Sequence, residues 1–129
     1  MKVMNKLRIS LVIGLCAASL WPAGSDLSNR GREVFDKRCG GCHALDNAKV
    51  GPPLRAIVGH RAAADPSFPY SDGLRKARLV WDEVTLDRWL ADPEAVVSDN
   101  DMGFRLNRAD ERSAIIAYLK QLPAKEGQR

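Results

Sequence analysis

Cys39, Cys42 and His43, spaced Cys-Gly-Gly-Cys-His, are the residues of this chain whose types and spacing could carry chemistry. Thiols three positions apart fall on one face of a helical turn, where both can add to the two vinyl groups on one edge of a porphyrin. The next residue, His43, then lies beneath the ring and offers its imidazole to the iron. Cys and His each make up only about 1 to 2% of average sequence, so the pattern is rare by chance. Three other uses compete with this one. A thioredoxin-like redox pair would want a strand before the motif and a βαβ pattern after it, and neither is present. A zinc site needs four ligands, but beyond the N-terminal leader only Cys39, Cys42, His43 and His60 are available as nitrogen or sulfur donors. A disulfide across so short a span would constrain little chain entropy. The motif reads as the attachment site of one covalent haem c.

A second axial ligand is reached by elimination. Met1 and Met4 belong to the leader, which leaves Met102 as the methionine candidate and His60 as the histidine candidate. Met102 lies in the polar stretch SDNDMGF, flanked by Asp99, Asn100, Asp101 and Gly103, and has no apolar periodicity that would make it core filler. A thioether favours ferrous iron and raises the reduction potential relative to two histidines. His60 follows Gly59 on a loop and reads as a polar residue that, with Arg61, could reach a haem propionate. Without Met102 on the iron, a five-coordinate haem could instead take peroxide, nitric oxide or carbon monoxide.

The elements that must hold these groups are helical. A first helix is expected from Ser28, whose hydroxyl can cap it, through Val34 and Phe35 to the motif. Gly31 one turn earlier suggests that another helix approaches closely, because an interior Gly otherwise costs about 1 kcal/mol. A helix over residues 84–91 is expected to be capped by Asp82 or Thr85, to bury Leu86, Trp89 and Leu90, and to stop before Pro93. The last helix is expected to start near Asn107, with Asp110 and Glu111 at its positive end and Ile115, Ile116, Leu119 and Leu122 on one stripe. A short turn of helix is expected over residues 71–77. Residues 50–69 show no period and are punctuated by Gly51, Pro52, Pro53, Gly59, Pro66 and Pro69. Such a long loop needs something packed beneath it. No segment alternates like a strand, so the fold class is all-α: three main helices and long ordered loops around one haem.

Lys2, Lys6 and Arg8 precede an apolar run over residues 9–20, the pattern of a secretory leader. That run is short of the roughly twenty residues needed to span a bilayer, so no stable membrane insertion is expected. Residues 1–24 are expected to be the leader, cut between 19 and 24, and 25–129 the haem domain. Cys16 follows Leu15, where lipoprotein processing wants a small side chain, so it reads as filler. The chain of 129 residues has a formal charge of +4, but all sixteen acidic residues lie at or after Asp26 while three bases leave with the leader, so the mature chain carries +1. No basic cluster interleaved with aromatics remains, which excludes a nucleic-acid partner.

On these residues the chain resembles the class I cytochromes c, in particular the cytochrome c2 and mitochondrial-type branch. GREVFDKRCGGCHAL resembles the family's first helix with its haem motif, and Gly51 to Leu54 its GPxL loop. Tyr70, Ser71 and Asp72 resemble its Y-[ST]-D, TLDRWLADP its TLxxYLxxP, and AIIAYLKQL the last helix. The resemblance implies that the Pro52 carbonyl accepts the N–H of His43, and that Tyr70 and Trp81 bond a propionate. It also implies that the first and last helices cross with Gly31 and Phe35 against Ile115 and Tyr118. Two departures stand out. Trp89 replaces a common Tyr beside the Met, so a hydroxyl bond to sulfur is not carried over, and Asp99 and Asp101 replace lysines, so the sign of a docking face is not carried over either.

The expected function follows from both readings: a soluble, monomeric periplasmic electron carrier with a His43/Met102 haem, not itself an enzyme. Its redox partners would be a bc1-type complex, a dehydrogenase, a reaction centre or an oxidase. A dedicated cytochrome subunit of one dehydrogenase would have the same sequence features.

Overall fold

A computed structural model describes residues 23–124. Most of the expected leader and its cleavage region lies outside the described residues. Five α-helices and one π-helical turn follow one another, and among the described residues the only β pairing is an isolated bridge between Arg61 and Val80. The architecture is all-α, as expected.

Helix α1 runs over Ala23–Val34, earlier than expected. Ser28 is not its cap; it is 5% exposed and sits on the inner face one turn before Gly31. Its small side chain suits a helix contact, and the cap preference of serine misled here because burial outweighed it. Helix α5, Ala109–Lys120, crosses α1 at Gly31: a Cβ on that glycine would fall on the Ala114 carbonyl and 2.7 Å from the Tyr118 Cβ. Phe35 meets Tyr118 with ring centroids 5.8 Å apart. Ala114 and Tyr118 thus meet Gly31 and Phe35 at the crossing, and Ile115 beside them is 1% exposed within the core.

α5 also starts later than Asn107, and Arg108 at its N-cap makes no side-chain cap bond. The Arg112 guanidinium accounts for this: it donates to the Leu106 and Asn107 carbonyls at 3.0 Å each and pairs with Asp87 at 2.8 Å, fixing the entering chain extended. Asp110 and Glu111 lie in the first turn as expected.

Helix α2, Asp72–Lys76, is capped by the Ser71 hydroxyl, which accepts from the Leu74 N–H at 3.3 Å. Helix α3, Glu83–Ala91, is capped by Asp82, whose carboxylate accepts from the Thr85 N–H at 2.7 Å; such a cap stabilises by about 1 kcal/mol. Leu86, Trp89 and Leu90 are buried, as their spacing predicts. Pro93 ends α3 but also opens a further short helix, α4, Pro93–Val96. The sequence reading missed α4 because it took the proline only as a stop, whereas its fixed φ also suits a first helical position.

The core gathers Val34, Trp81, Trp89, Leu106 and Ile115 from helices and loops alike, with Cys39, Leu54 and Met102 packed along its margin. Trp81 and Trp89 meet edge to face at 5.1 Å. The long loop is stitched to this core through its backbone. Gly59 N–H donates to the Trp81 carbonyl at 2.8 Å, Trp81 N–H to His60 at 2.9 Å, and Ala56 N–H to Leu122 at 3.0 Å.

Candidate haem site

Directly after α1 the chain widens into a π-helical turn over Phe35–Cys39, closed by Gly40 N–H donating to the Phe35 carbonyl at 2.9 Å. Such single π turns are often found at functional sites. The Cys39 carbonyl then accepts from both Cys42 N–H at 3.0 Å and His43 N–H at 2.8 Å. One carbonyl thus folds the whole motif into a turn. Cys39 is half-buried against the core and Cys42 is exposed. Burial, and then the neighbouring Cys42, push the Cys39 thiol up to about 11, so as a free group it is protonated at neutral pH.

The His43 ring is held from two sides. Its Nδ1 lies 2.9 Å from the Pro52 carbonyl, so it carries the proton and donates, and Nε2 keeps its lone pair. Gly51 lies against the ring, where a Cβ would stand 2.6 Å from Nδ1 and 2.7 Å from Nε2. The loop is held there by Gly51 N–H donating to the Cys42 carbonyl at 2.8 Å. The GPxL segment is thus the support of one imidazole, and its glycine makes the room.

Met102 is half-buried at the core margin, directly after the exposed Asp99 and Asp101. The indole N–H of Trp89 donates to its sulfur at 3.0 Å. A hydroxyl bond was not expected because Trp replaces Tyr here; the indole N–H, itself a hydrogen-bond donor, was the available signal. Asn100 was missed as well: its Oδ1 accepts from the Met102 N–H at 2.9 Å.

The remaining candidates are placed unevenly. Trp81 is buried at 6% exposure and fixed by its backbone to Gly59 and His60. Tyr70 is half-buried and stacks edge-on with Phe68 at 4.8 Å. Burial, and then Asp65, push its hydroxyl pKa up, opposed by a hydrogen bond with the Asp65 backbone. His60 is exposed, with its backbone rather than its ring tied to the core.

The donor set fits haem c: two thiols in one turn, an imidazole with Nε2 free, a soft thioether and a glycine-made space at the imidazole. Residues 28–123 match the family model described as Cytochrome c. A cytochrome c2 of Rhodomicrobium vannielii is 38% identical over 122 residues, spanning 90% of this chain and 95% of its own. Cytochrome c2 iso-2 of Magnetospirillum fulvum is 41% identical over 87 residues, or 65% and 91% of the two chains. Among solved structures, cytochrome cH from Methylobacterium extorquens superposes with a TM-score of 0.69 at 35% identity, covering 73% of this chain and 97% of its own. This chain belongs to the cytochrome c family, in the class I cytochrome c2 branch, and is an electron-transfer protein with one covalently attached haem c.

Proposed function

We propose that the protein is a soluble periplasmic carrier of single electrons, with Cys39 and Cys42 as the thioether attachments and His43 Nε2 and Met102 sulfur as the axial ligands. The observation that carries this reading is that both ligand atoms are pre-oriented by hydrogen bonds made on their other side, from His43 to Pro52 and from Trp89 to Met102. Bound haem supplies an iron that gains and loses one electron. The chain's own residues do the rest. Pro52 fixes the imidazole tautomer and enriches its donor nitrogen. Trp81 and Trp89 give the site an apolar wall, and Trp81 and Tyr70 would be the propionate partners that the family resemblance implies. With His43 and Met102 both holding the iron, no position would be left for a substrate, which is the chemistry of a carrier and not of an enzyme.

Residues 1–24 act as the export leader in this reading, and the mature domain meets its partners in the periplasm. No helix among the described residues is long and apolar enough to cross a membrane. Donor and acceptor are redox proteins of the respiratory or photosynthetic kind: a bc1-type complex, a dehydrogenase, a reaction centre or an oxidase. Co-purification from native periplasm separates a free carrier from a subunit dedicated to one dehydrogenase. The ligation is tested on the ferric holoprotein at neutral pH, which should show the weak near-infrared absorption of thioether-ligated haem. M102A should lose that band and, once reduced, take up carbon monoxide. A wild-type protein lacking the band and binding carbon monoxide readily would overturn the carrier reading in favour of a five-coordinate haem.

A further inference from the structure

The segment that carries Met102 is held in its middle by side chains. Backbone bonds fix its two ends, where Val97 N–H donates to Pro93 at 3.0 Å and Leu106 N–H to Leu90 at 2.7 Å. Among the described residues, 98–105 enter no backbone-to-backbone hydrogen bond outside helices. One amide spans the gap. The Asn100 Nδ2 donates to the Val97 carbonyl at 2.8 Å and to the Glu94 carboxylate at 2.9 Å, while its Oδ1 accepts from the Met102 N–H at 2.9 Å. On the other side, α2 backs the loop: a Cβ on Gly73 would fall on the Ser98 and Asp99 carbonyls. Asp99 itself holds a left-handed φ of 60°, so the chain is turned sharply just before Asn100.

We propose that Asn100 is the positioning residue of Met102: its side chain ties the Met102 backbone to α4 and so sets how readily an outside ligand displaces the sulfur from iron. The inference rests on the His43/Met102 ligation proposed above. An amide suits the task because it offers donors at one end and an acceptor at the other. Trp89 orients the sulfur, but the reach of the side chain is set by where its backbone stands. Loosening that backbone populates a Met-off state, and an outside ligand then gains apparent affinity in proportion to that population.

The test is imidazole binding to the ferric holoprotein, read with the near-infrared band of the thioether ligand. N100A should bind imidazole about tenfold more tightly, the scale set by losing these bonds to water. N100D keeps the acceptor but turns a carboxylate toward Glu94 and the Val97 carbonyl, and should shift at least as far. Adding E94Q to N100D returns a donor to the pair and should recover about threefold. E94Q alone, whose amide oxygen still accepts from Asn100, should stay near wild type. D110N, which loosens the α1–α5 crossing and touches none of the Asn100 bonds, is the stability control and should leave imidazole affinity unchanged. The inference is overturned if N100A binds imidazole as wild type does with its band intact, if E94Q fails to recover N100D, or if D110N shifts affinity as much as N100A. A wild-type protein without the band would overturn the ligation and this inference together.

Discussion

The indole N–H of Trp89, on α3, stands 3.0 Å from the Met102 sulfur and donates to it. A thioether has two lone pairs, and a donor on one draws density from the other. A poorer sulfur donor destabilises ferric iron more than ferrous, which raises the reduction potential. W89F keeps an apolar ring and removes the donor, so its potential should fall by about 20 to 60 mV, the one-electron equivalent of a single hydrogen bond of about 0.5 to 1.5 kcal/mol. Spectroelectrochemical titration checks this, and an unchanged potential would show that the contact does not reach the iron. Indole does not ionise in the accessible range, unlike a phenol with its pKa near about 10. This donor is therefore expected to persist through the alkaline region.

On the proposed ligation, Gly51 offers a second handle, through His43. A methyl group there would collide with the His43 ring, which Pro52 holds from its other nitrogen. The ring must then turn and lose the Pro52 bond. G51A should accumulate markedly less holoprotein, measured as haem per chain in the exported fraction. Normal haem content with a wild-type spectrum would mean that the loop can retreat from the ring.

How much of this was legible in the sequence differs from residue to residue for physical reasons. Leu86, Trp89, Leu90 and the Asp82 cap were readable because both spacing and capping are local. Ser28 and Asn107 misled because each has the local chemistry of a cap while distant groups decide the outcome: the α1–α5 packing for Ser28 and the Arg112 guanidinium for Asn107. The Pro52 contact with His43 was implied by family resemblance, whereas Asn100 had no signal beyond being a polar neighbour of Met102. Its two ends serve groups six and two residues away, and only the folded loop brings them together.

The α1–α5 crossing predicts a stability effect with no direct chemical one. Gly31 leaves no room for a side chain, since the obstacle is the backbone carbonyl of Ala114 rather than a flexible tip. G31A must therefore push the two helices apart, at a cost of about 1 to 3 kcal/mol by analogy with overpacked cores. For a domain of this size each kcal/mol lowers Tm by roughly 4 to 8 °C. Thermal unfolding of the holoprotein should show that drop while the absorption spectrum stays as in wild type. An unchanged Tm would contradict the close approach.

The same crossing is tied at its edge by charge, and this makes stability depend on pH in a stated direction. Asp110, in the first turn of α5, is paired with Arg108 at 2.7 Å and with Arg30 of α1. Hydrogen bonds from Arg108 and then Arg30 hold its carboxyl well below the ordinary value of 3.8. A carboxyl depressed in the folded state contributes stability that is fully present above its unfolded value and is lost as pH falls through the folded one. D110N should accordingly melt below wild type at pH 7, with the gap narrowing once the pH drops below about 4. The pair is solvent-exposed, so the gap at pH 7 should also shrink in high salt. A pH-independent difference between the two proteins would mean that Asp110 acts through helix geometry and not through its charge.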